Sequence, residues 1–427
     1  MKTATLVKFA SFSTTFLLLT ACGGGSSSGD NSGGNASAPT PPIALARTGQ
    51  EIVIPHASNS VLVGGEGAYS HGSSADSLIL ATNVYTPDLN VVDLNTPSYI
   101  DVANDSVVSI PNLPNRPYGD HDIIDVSDSG SRFLIQTAAL TGSGASRDFF
   151  VYDRSTNTYT DLRLDLLNSP TARLSPNGQV VIYTQETVVN SSTTRADLYR
   201  VNLGSPGLPQ GSIFASVNNL TFGVGPMSSD GSFVLVRDYL SAVTNSDATK
   251  SDNFRLINGA SSKLLLDGTA HWNQCGTNLA MSPSGKFVAI ECLAAYPLNT
   301  PSKLSSVVVY NTSTNTFTYL GNDRLAPLGL VNSPVAAPEL IGMNESGISF
   351  IADVLNSNSR VLVNYTFSTD SLAIVSALGD LTKTKIGQTL LVGLGPIQVM
   401  GALNEVMGYV QPDSSDATKN IYYILKP

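Results

Sequence analysis

The chain has 427 residues, a formal net charge of −10 and only 13% charged side chains, about half the usual share. Its acidic surface, rich in hydroxyl and amide groups, opposes phosphate backbones, and this excludes nucleic acid as a partner. The length would allow two or three domains, so the internal pattern has to decide their number.

At the N-terminus, Met1 to Lys8 carries Lys2 and Lys8 and no acid. Phe9 to Leu19 is largely apolar and too short to span a bilayer as a mature helix. Together they predict an export signal over residues 1–21. It closes with Leu19-Thr20-Ala21-Cys22, which resembles the lipobox of bacterial lipoproteins. The resemblance implies cleavage before Cys22 and acylation of that residue, palmitate included, so the membrane is an expected partner through the anchor. Loss of Lys2 and Lys8 would take the net charge from −10 to −12.

Residues 22–48 then form the lipidated cysteine and its tether. Gly23 to Pro42 reads GGGSSSGDNSGGNASAPTPP and has almost nothing to bury, the composition of a flexible coil. At roughly 5–6 Å times the square root of its length, it holds the folded part about 25 Å from the lipid. Gly23 stands where an Asp would, in the enteric sorting rule, favour the inner membrane. The expected address is therefore the envelope, and the outer membrane rather than the inner, with periplasmic or external exposure left open. No later segment approaches about 20 uninterrupted apolar residues.

Past the tether, a lone β run, QEIVIP, begins at Gln50. A phrase then recurs: VSDSGSRFLIQ at Val126, LSPNGQVVIY at Leu174, MSSDGSFVLVR at Met227, MSPSGKFVAIE at Met281 and MNESGISFIAD at Met343. In each, a strand enters a small polar turn whose Gly is expected to supply a positive φ, and a second strand leaves it. A third strand ends in a polar turn, as in FFVYDRSTNTYTDL from Phe149 and SVVVYNTSTNTFTYLG from Ser306, and a short fourth completes the set. Four antiparallel strands repeating every 50–60 residues or so match a propeller blade.

The hairpins resemble the TolB-type β-propeller repeat, whose core is S-P-D-G followed by a strand. Ser175-Pro176-Asn177-Gly178 and Ser282-Pro283-Ser284-Gly285 come nearest to it, Ser228-Ser229-Asp230-Gly231 keeps the acid, and Asn344-Glu345-Ser346-Gly347 has drifted. Five hairpins, with the copies near Leu78 and Leu403 that lack the turn, give seven blades; six or eight also fit the spacing. The expected fold is all-β, a single closed β-propeller over residues 49–427. Its last blade, ending in NIYYILKP, takes QEIVIP as the missing outer strand, since an unpaired edge there would invite aggregation.

Apart from Cys22, the cysteines are Cys275 and Cys292, a pair that an oxidising compartment would join. If Met281 faces Lys286 across its hairpin, the same register sets Cys275 opposite Cys292. The bond would contribute on the order of 3 kcal/mol. Reduced thiols or a redox switch are the alternative.

Chemical motifs are sparse. Beyond the Gly/Ser tether there is no G-x-S-x-G elbow, and the chain has no H-E-x-x-H and no zinc-type cysteine spacing; neither a cofactor nor a metal is expected. The segment before a blade's first strand crosses to the central channel, where propeller ligands bind. The candidate mouth residues are His71, Arg116, Asp120, His121, Asp122, Arg173, His271 and Trp272. One reading is a binding module for an envelope protein or a glycan. The other is a metal-assisted polysaccharide lyase or hydrolase, with His71, His121 and His271 joined by Asp120, Asp122 or Gln398. The two differ in whether those histidines converge.

Overall fold

The computed structural model describes residues 52–55, 60–62, 79–86, 94–101, 104, 106–111, 113, 121–138, 147–162, 171–190, 193–204, 212–218, 221–239, 253–259, 261–266, 275–292, 306–331, 339–357, 359–374, 407–412 and 419–425. Nearly all of them are strand or turn. After β1 (Ile52–Pro55), sheet 1 comprises β2 (Ser60–Leu62), β3 (Ile79–Thr86), β4 (Leu94–Asp101) and β5 (Ser106–Ser109). Sheet 2 holds β6 (His121–Val126), β7 (Arg132–Ala138), β8 (Arg147–Asp153) and β9 (Thr158–Asp161). In sheet 3 are β10 (Ala172–Leu174), β11 (Val180–Asn190), β12 (Thr193–Asn202) and β13 (Ser212–Asn218). Sheet 4 is β14 (Thr221–Met227), β15 (Phe233–Tyr239), β16 (Asn253–Asn258) and β17 (Ser261–Leu266). Sheet 5 follows with β18 (Cys275–Met281), β19 (Phe287–Cys292), β20 (Ser306–Asn311) and β21 (Thr316–Leu320).

The only helical turns among the described residues come next, α1 (Asn322–Leu325) and a 3-10 turn at Ala326–Leu328. In sheet 6 the first strand is split into β22 (Leu330–Val331) and β23 (Glu339–Met343), both paired to β24 (Gly347–Val354), with β25 (Arg360–Thr366) and β26 (Ser371–Ile374) beyond. The last sheet joins the chain ends: β27 (Met407–Pro412) and β28 (Lys419–Leu425) pair with each other, and β1 adds to β28. Ile52 lies opposite Tyr422 and Pro55 opposite Lys419, in antiparallel register. The pairing expected of QEIVIP and NIYYILKP is thus present.

Consecutive sheets stack face to face. Ile123, Ile135 and Phe150 of sheet 2 pack with Ile79, Ala81 and Tyr99 of sheet 1, while Leu134, Phe149 and Val151 turn to Val181, Tyr183 and Val201 of sheet 3. The same exchange joins sheets 3 and 4, 4 and 5, and 5 and 6. Because both faces are covered, second strands are continuous apolar runs rather than alternating ones; all six residues of β19 are buried. Each fully buried Phe or Leu contributes about 1.5–3 kcal/mol, so stability resides between sheets.

The recurring turns also lock sheet to sheet. Asp128 N–H donates to Pro176 O at 2.7 Å, Asn177 N–H to Ser229 O at 3.2 Å, and Ser229 N–H to Pro283 O at 2.7 Å. Proline has no N–H, so where the second turn residue is Pro176 or Pro283, the next residue donates instead. Ser284 does so to the Glu345 carboxylate, which also accepts from the Ser284 hydroxyl at 2.8 Å. Arginines add to this chain: Arg132 Nη1 reaches Gly178 O at 2.6 Å and Arg200 Nη1 reaches Gly231 O at 2.8 Å. Burial pushes the Asp153 carboxyl up, but hydrogen bonds from Ser155 and Arg132 outweigh it and hold the group below the usual carboxylate range.

Two expectations need correction. Gly130, Gly178, Gly231 and Gly285 have positive φ, but Gly347 does not. It begins β24, where a Cβ would collide with Tyr365 O, so close approach of two backbones requires it. The hairpin register at Met281 also differs: Met281 faces Val288, not Lys286. The turn is wider than a two-residue hairpin, with Ser282 N–H closing on Phe287 O.

Candidate functional site

In sheets 2, 4 and 5 the two ends of each sheet are unlike. One end carries the interlocked turns. The other carries the connections from second to third strand, 139–146, 240–252 and 293–305, and those from sheet to sheet. Of the described candidates, His121 and Asp122 open β6 at this loop end, whereas Arg173 lies two residues before the turn that begins at Ser175.

His121 is the first residue of β6, opposite Thr137, which is in turn opposite Asp148. All three are buried, with 6%, 2% and 4% exposure. They continue the Ile123–Ile135–Phe150 row, so His121 faces sheet 1. Asp122 alternates to the other face of β6, in register with Gln136 and Phe149, and Phe149 packs toward sheet 3. Arg173 is the middle residue of β10 and extends back to sheet 2, its Nη1 donating to Ile124 O at 3.5 Å. Asp122 therefore faces sheet 3 while His121 belongs to the interface of sheets 1 and 2, and Arg173, between Ala172 and Leu174 on β10, reaches the β6 backbone at Ile124. The strand's two-residue period separates side chains that adjoin in sequence.

Cys275 and Cys292 are joined by a disulfide and lie opposite each other at the loop end of sheet 5. The path to that pairing is not the uniform register expected. Between Cys275 and Leu279 the ladder slips, so that residues 276–278 oppose Glu291 alone, and this bulge offsets the wider turn. Cys22, His71, Arg116, Asp120, His271, Trp272 and Gln398 lie outside the described residues. Among the described residues no three His, Cys, Asp or Glu side chains gather as metal ligands would.

The structure adds polar groups that sequence reading passed over. Asp125, 1% exposed, accepts Leu174 N–H at 2.9 Å across the next sheet boundary. Glu291, 4% exposed, accepts Leu340 N–H at 3.1 Å, and Thr171 Oγ1 accepts Val224 N–H at 3.1 Å. Each recipient strand, β10, β14 or β23, has a ladder partner on one side only. A side chain of the preceding sheet supplies the acceptor that its buried backbone requires. In sequence these acids look like surface acids; only their place near the ends of apolar strands marks them.

A second device repeats at the turns between third and fourth strands. Tyr152, Tyr310 and Tyr365 donate to Asn157, Asn315 and Asp370 at 2.9, 2.7 and 2.6 Å, and each acceptor is left-handed, with φ of 55°, 59° and 49°. Lys263 of sheet 4 donates to Tyr310 and Asn315 of sheet 5. Arg324 lies 5.1 Å from the Tyr365 ring centroid and 2.8 Å from the Asp370 carboxylate. The Tyr365 hydrogen bond and the Arg324 guanidinium hold Asp370 below the usual carboxylate range. The sequence signal, Tyr followed five residues later by Asn or Asp, was legible.

No protein-family model matches the chain, and no curated protein does. Solved structures similar to it include the β-propeller domain of the trilobed protease of Pyrococcus furiosus, at 9% identity, TM-score 0.47, over 86% of this chain and 95% of that one. Oligogalacturonate lyase of Vibrio parahaemolyticus matches at 10% identity, TM-score 0.49, over 89% and 97%. TolB of Acinetobacter baumannii matches at 14% identity, TM-score 0.35, over 59% of this chain and 53% of that one. Likeness at this level transfers no activity and no site residue.

Proposed function

We propose that the chain is a lipid-anchored β-propeller of the bacterial envelope whose loop end binds a protein or a glycan. In this reading the seven sheets are blades, β1 closes the ring, and Cys22 carries the anchor at the outer membrane. The observation behind the binding assignment is the difference between the sheet ends. At one end turns are hydrogen-bonded from sheet to sheet, which favours a fixed scaffold; at the other, longer connections leave room for sequence to vary. Recognition residues concentrate on loops held by such scaffolds. Against acid–base chemistry at the mouth stands the separation of His121 from Asp122 on opposite faces of β6.

Affinity capture from detergent-solubilised envelope tests this. A specific partner should be lost with Trp272→Ala, which lies in the sheet 4 to sheet 5 connection, and kept with the turn-end control Thr314→Ala. Equal capture by both variants would reject the loop end as the binding face. Stoichiometric transition metal in the purified protein would favour the lyase or hydrolase instead. Cys22→Ser should move the protein to the soluble fraction, and continued membrane retention would reject the anchor.

A further inference from the structure

β1 is connected to the rest of the fold unlike any other described strand. It contributes to a sheet at the far end of the chain, its only partner among the described strands is β28, and four residue pairs make up that ladder. On its C-terminal side only residues 56–59 separate it from β2 in a different sheet. On its N-terminal side lies the Gly/Ser/Pro stretch proposed as the tether. The β28–β27 ladder, by comparison, has six pairs, and only residues 413–418 separate its two strands in sequence.

We infer that the β28 edge is a strand-acceptor site and that β1 is its exchangeable occupant, replaceable by the 50–55 segment of a second copy of this chain. Two physical terms set the exchange. Main-chain hydrogen bonding along an edge accepts any extended segment of compatible pattern, and an unoccupied edge tends to pair with another chain. What keeps β1 in its own molecule is the short link to β2, which holds it at an effective concentration on the order of millimolar. The position of a chain cut therefore matters. Cleavage N-terminal to Gln50 releases a domain with its edge filled. Cleavage within 56–59 removes the link, and β1 is then held by four residue pairs alone.

This rests on the closed-ring reading but not on the lipid anchor. The experiment uses the purified mature chain with a site-specific protease sequence placed either in the tether, in place of residues 30–36, or in place of residues 56–59. The probe is a fluorescein-labelled peptide of residues 50–55, QEIVIP, with a Val53→Pro version as control. After cleavage at 56–59, uptake of QEIVIP should rise about ten-fold or more over the uncut protein, as loss of a linked competitor requires, and the control peptide should not bind. Once the cut-off N-terminal fragment is removed, concentrating the protein without peptide should give dimers or larger species by size-exclusion chromatography, as open β28 edges pair with one another. The tether-cut protein should stay monomeric and take up no peptide. Equal uptake after both cuts, no uptake after either, or loss of β structure on cutting at 56–59 would overturn the inference. If the uncut protein binds the peptide as well as the cut one, ring closure by β1 itself fails, which separates the two ideas.

Discussion

Gly285 offers the sharpest test of the sheet-stacking argument. Its φ is +72°, and a Cβ built there would lie 2.5 Å from Phe233 Cδ2, 2.7 Å from Cγ and 2.9 Å from Cβ. Phe233 belongs to the preceding sheet, and a clash reaching its Cβ cannot be relieved by turning the ring. Gly285→Ala should therefore suffer twice: roughly 1–2 kcal/mol for a left-handed L-residue and a further 1–3 kcal/mol for overpacking. Gly259 separates the two effects. It has φ of +53° and nothing within 4 Å of its built Cβ, so Gly259→Ala should cost only the backbone part, about 1–2 kcal/mol. Urea unfolding read by far-UV circular dichroism gives both values, provided the m-values agree. In a Phe233→Ala background the excess at Gly285 should shrink by about 1 kcal/mol or more, the coupling expected of touching residues. Equal costs at Gly285 and Gly259 would show that the turn is not wedged against sheet 4, and the account of the interlocked turns would fail with it.

Asp125→Leu should cost about 1–3 kcal/mol because it strands a buried N–H at Leu174, and Asp125→Asn, which still offers an acceptor, should cost less; equal losses would mean that the carboxyl is not the acceptor there. Reduction of Cys275–Cys292, which are separated by 17 residues, should lower stability by about 3 kcal/mol, readable as a shift of the urea midpoint; no shift would show that the ladder holds without the bond. The Asp370 carboxyl is depressed on folding, so its contribution is present above the ordinary carboxylate value and is lost as pH falls through the lower folded one. Asp370→Asn should accordingly melt below the parent at pH 7 and converge with it only under acid conditions, below about pH 4; a gap that persists at pH 2 would exclude the charge as its source.

Sequence and structure agree where a local rule is repeated. The five hairpins, the strand that returns to pair with β28 and the cysteine pair each follow from a short-range signal copied or mirrored along the chain. They diverge where side chains answer to another sheet. Asp122 and His121 adjoin in sequence, yet the alternation of β6 sends them to different interfaces. Arg173 looked like a residue ahead of its strand, but it lies inside β10 and reaches back to Ile124. Asp125 and Glu291 could not be told from surface acids, because what buries them is the backbone of the following sheet. The Cys275 pairing was anticipated with the wrong ladder beneath it: a wider turn and a bulge offset each other.

Drift among the repeats becomes intelligible once the turn is seen as a link between sheets as well as a hairpin. A hairpin alone would tolerate any residue at its second position; a link needs either a donor or an acceptor facing the next turn. Asp128 and Ser229 supply an N–H there, and Pro176 and Pro283 cannot, so the donor moves one residue on to Asn177 and Ser284. The last copy gives up the left-handed Gly, and its turn presents a Glu345 side chain where the others present a backbone carbonyl. A carboxylate on a flexible stem can reach a donor that a displaced backbone no longer meets, and it accepts more strongly than a neutral carbonyl. Glu345→Ala should thus cost about 1 kcal/mol or more, while Glu345→Gln, with one acceptor oxygen left, should cost less. Equal stability of Glu345→Ala and the parent would mean that the fifth turn is merely degenerate, and that sheet 6 is held by its apolar face alone.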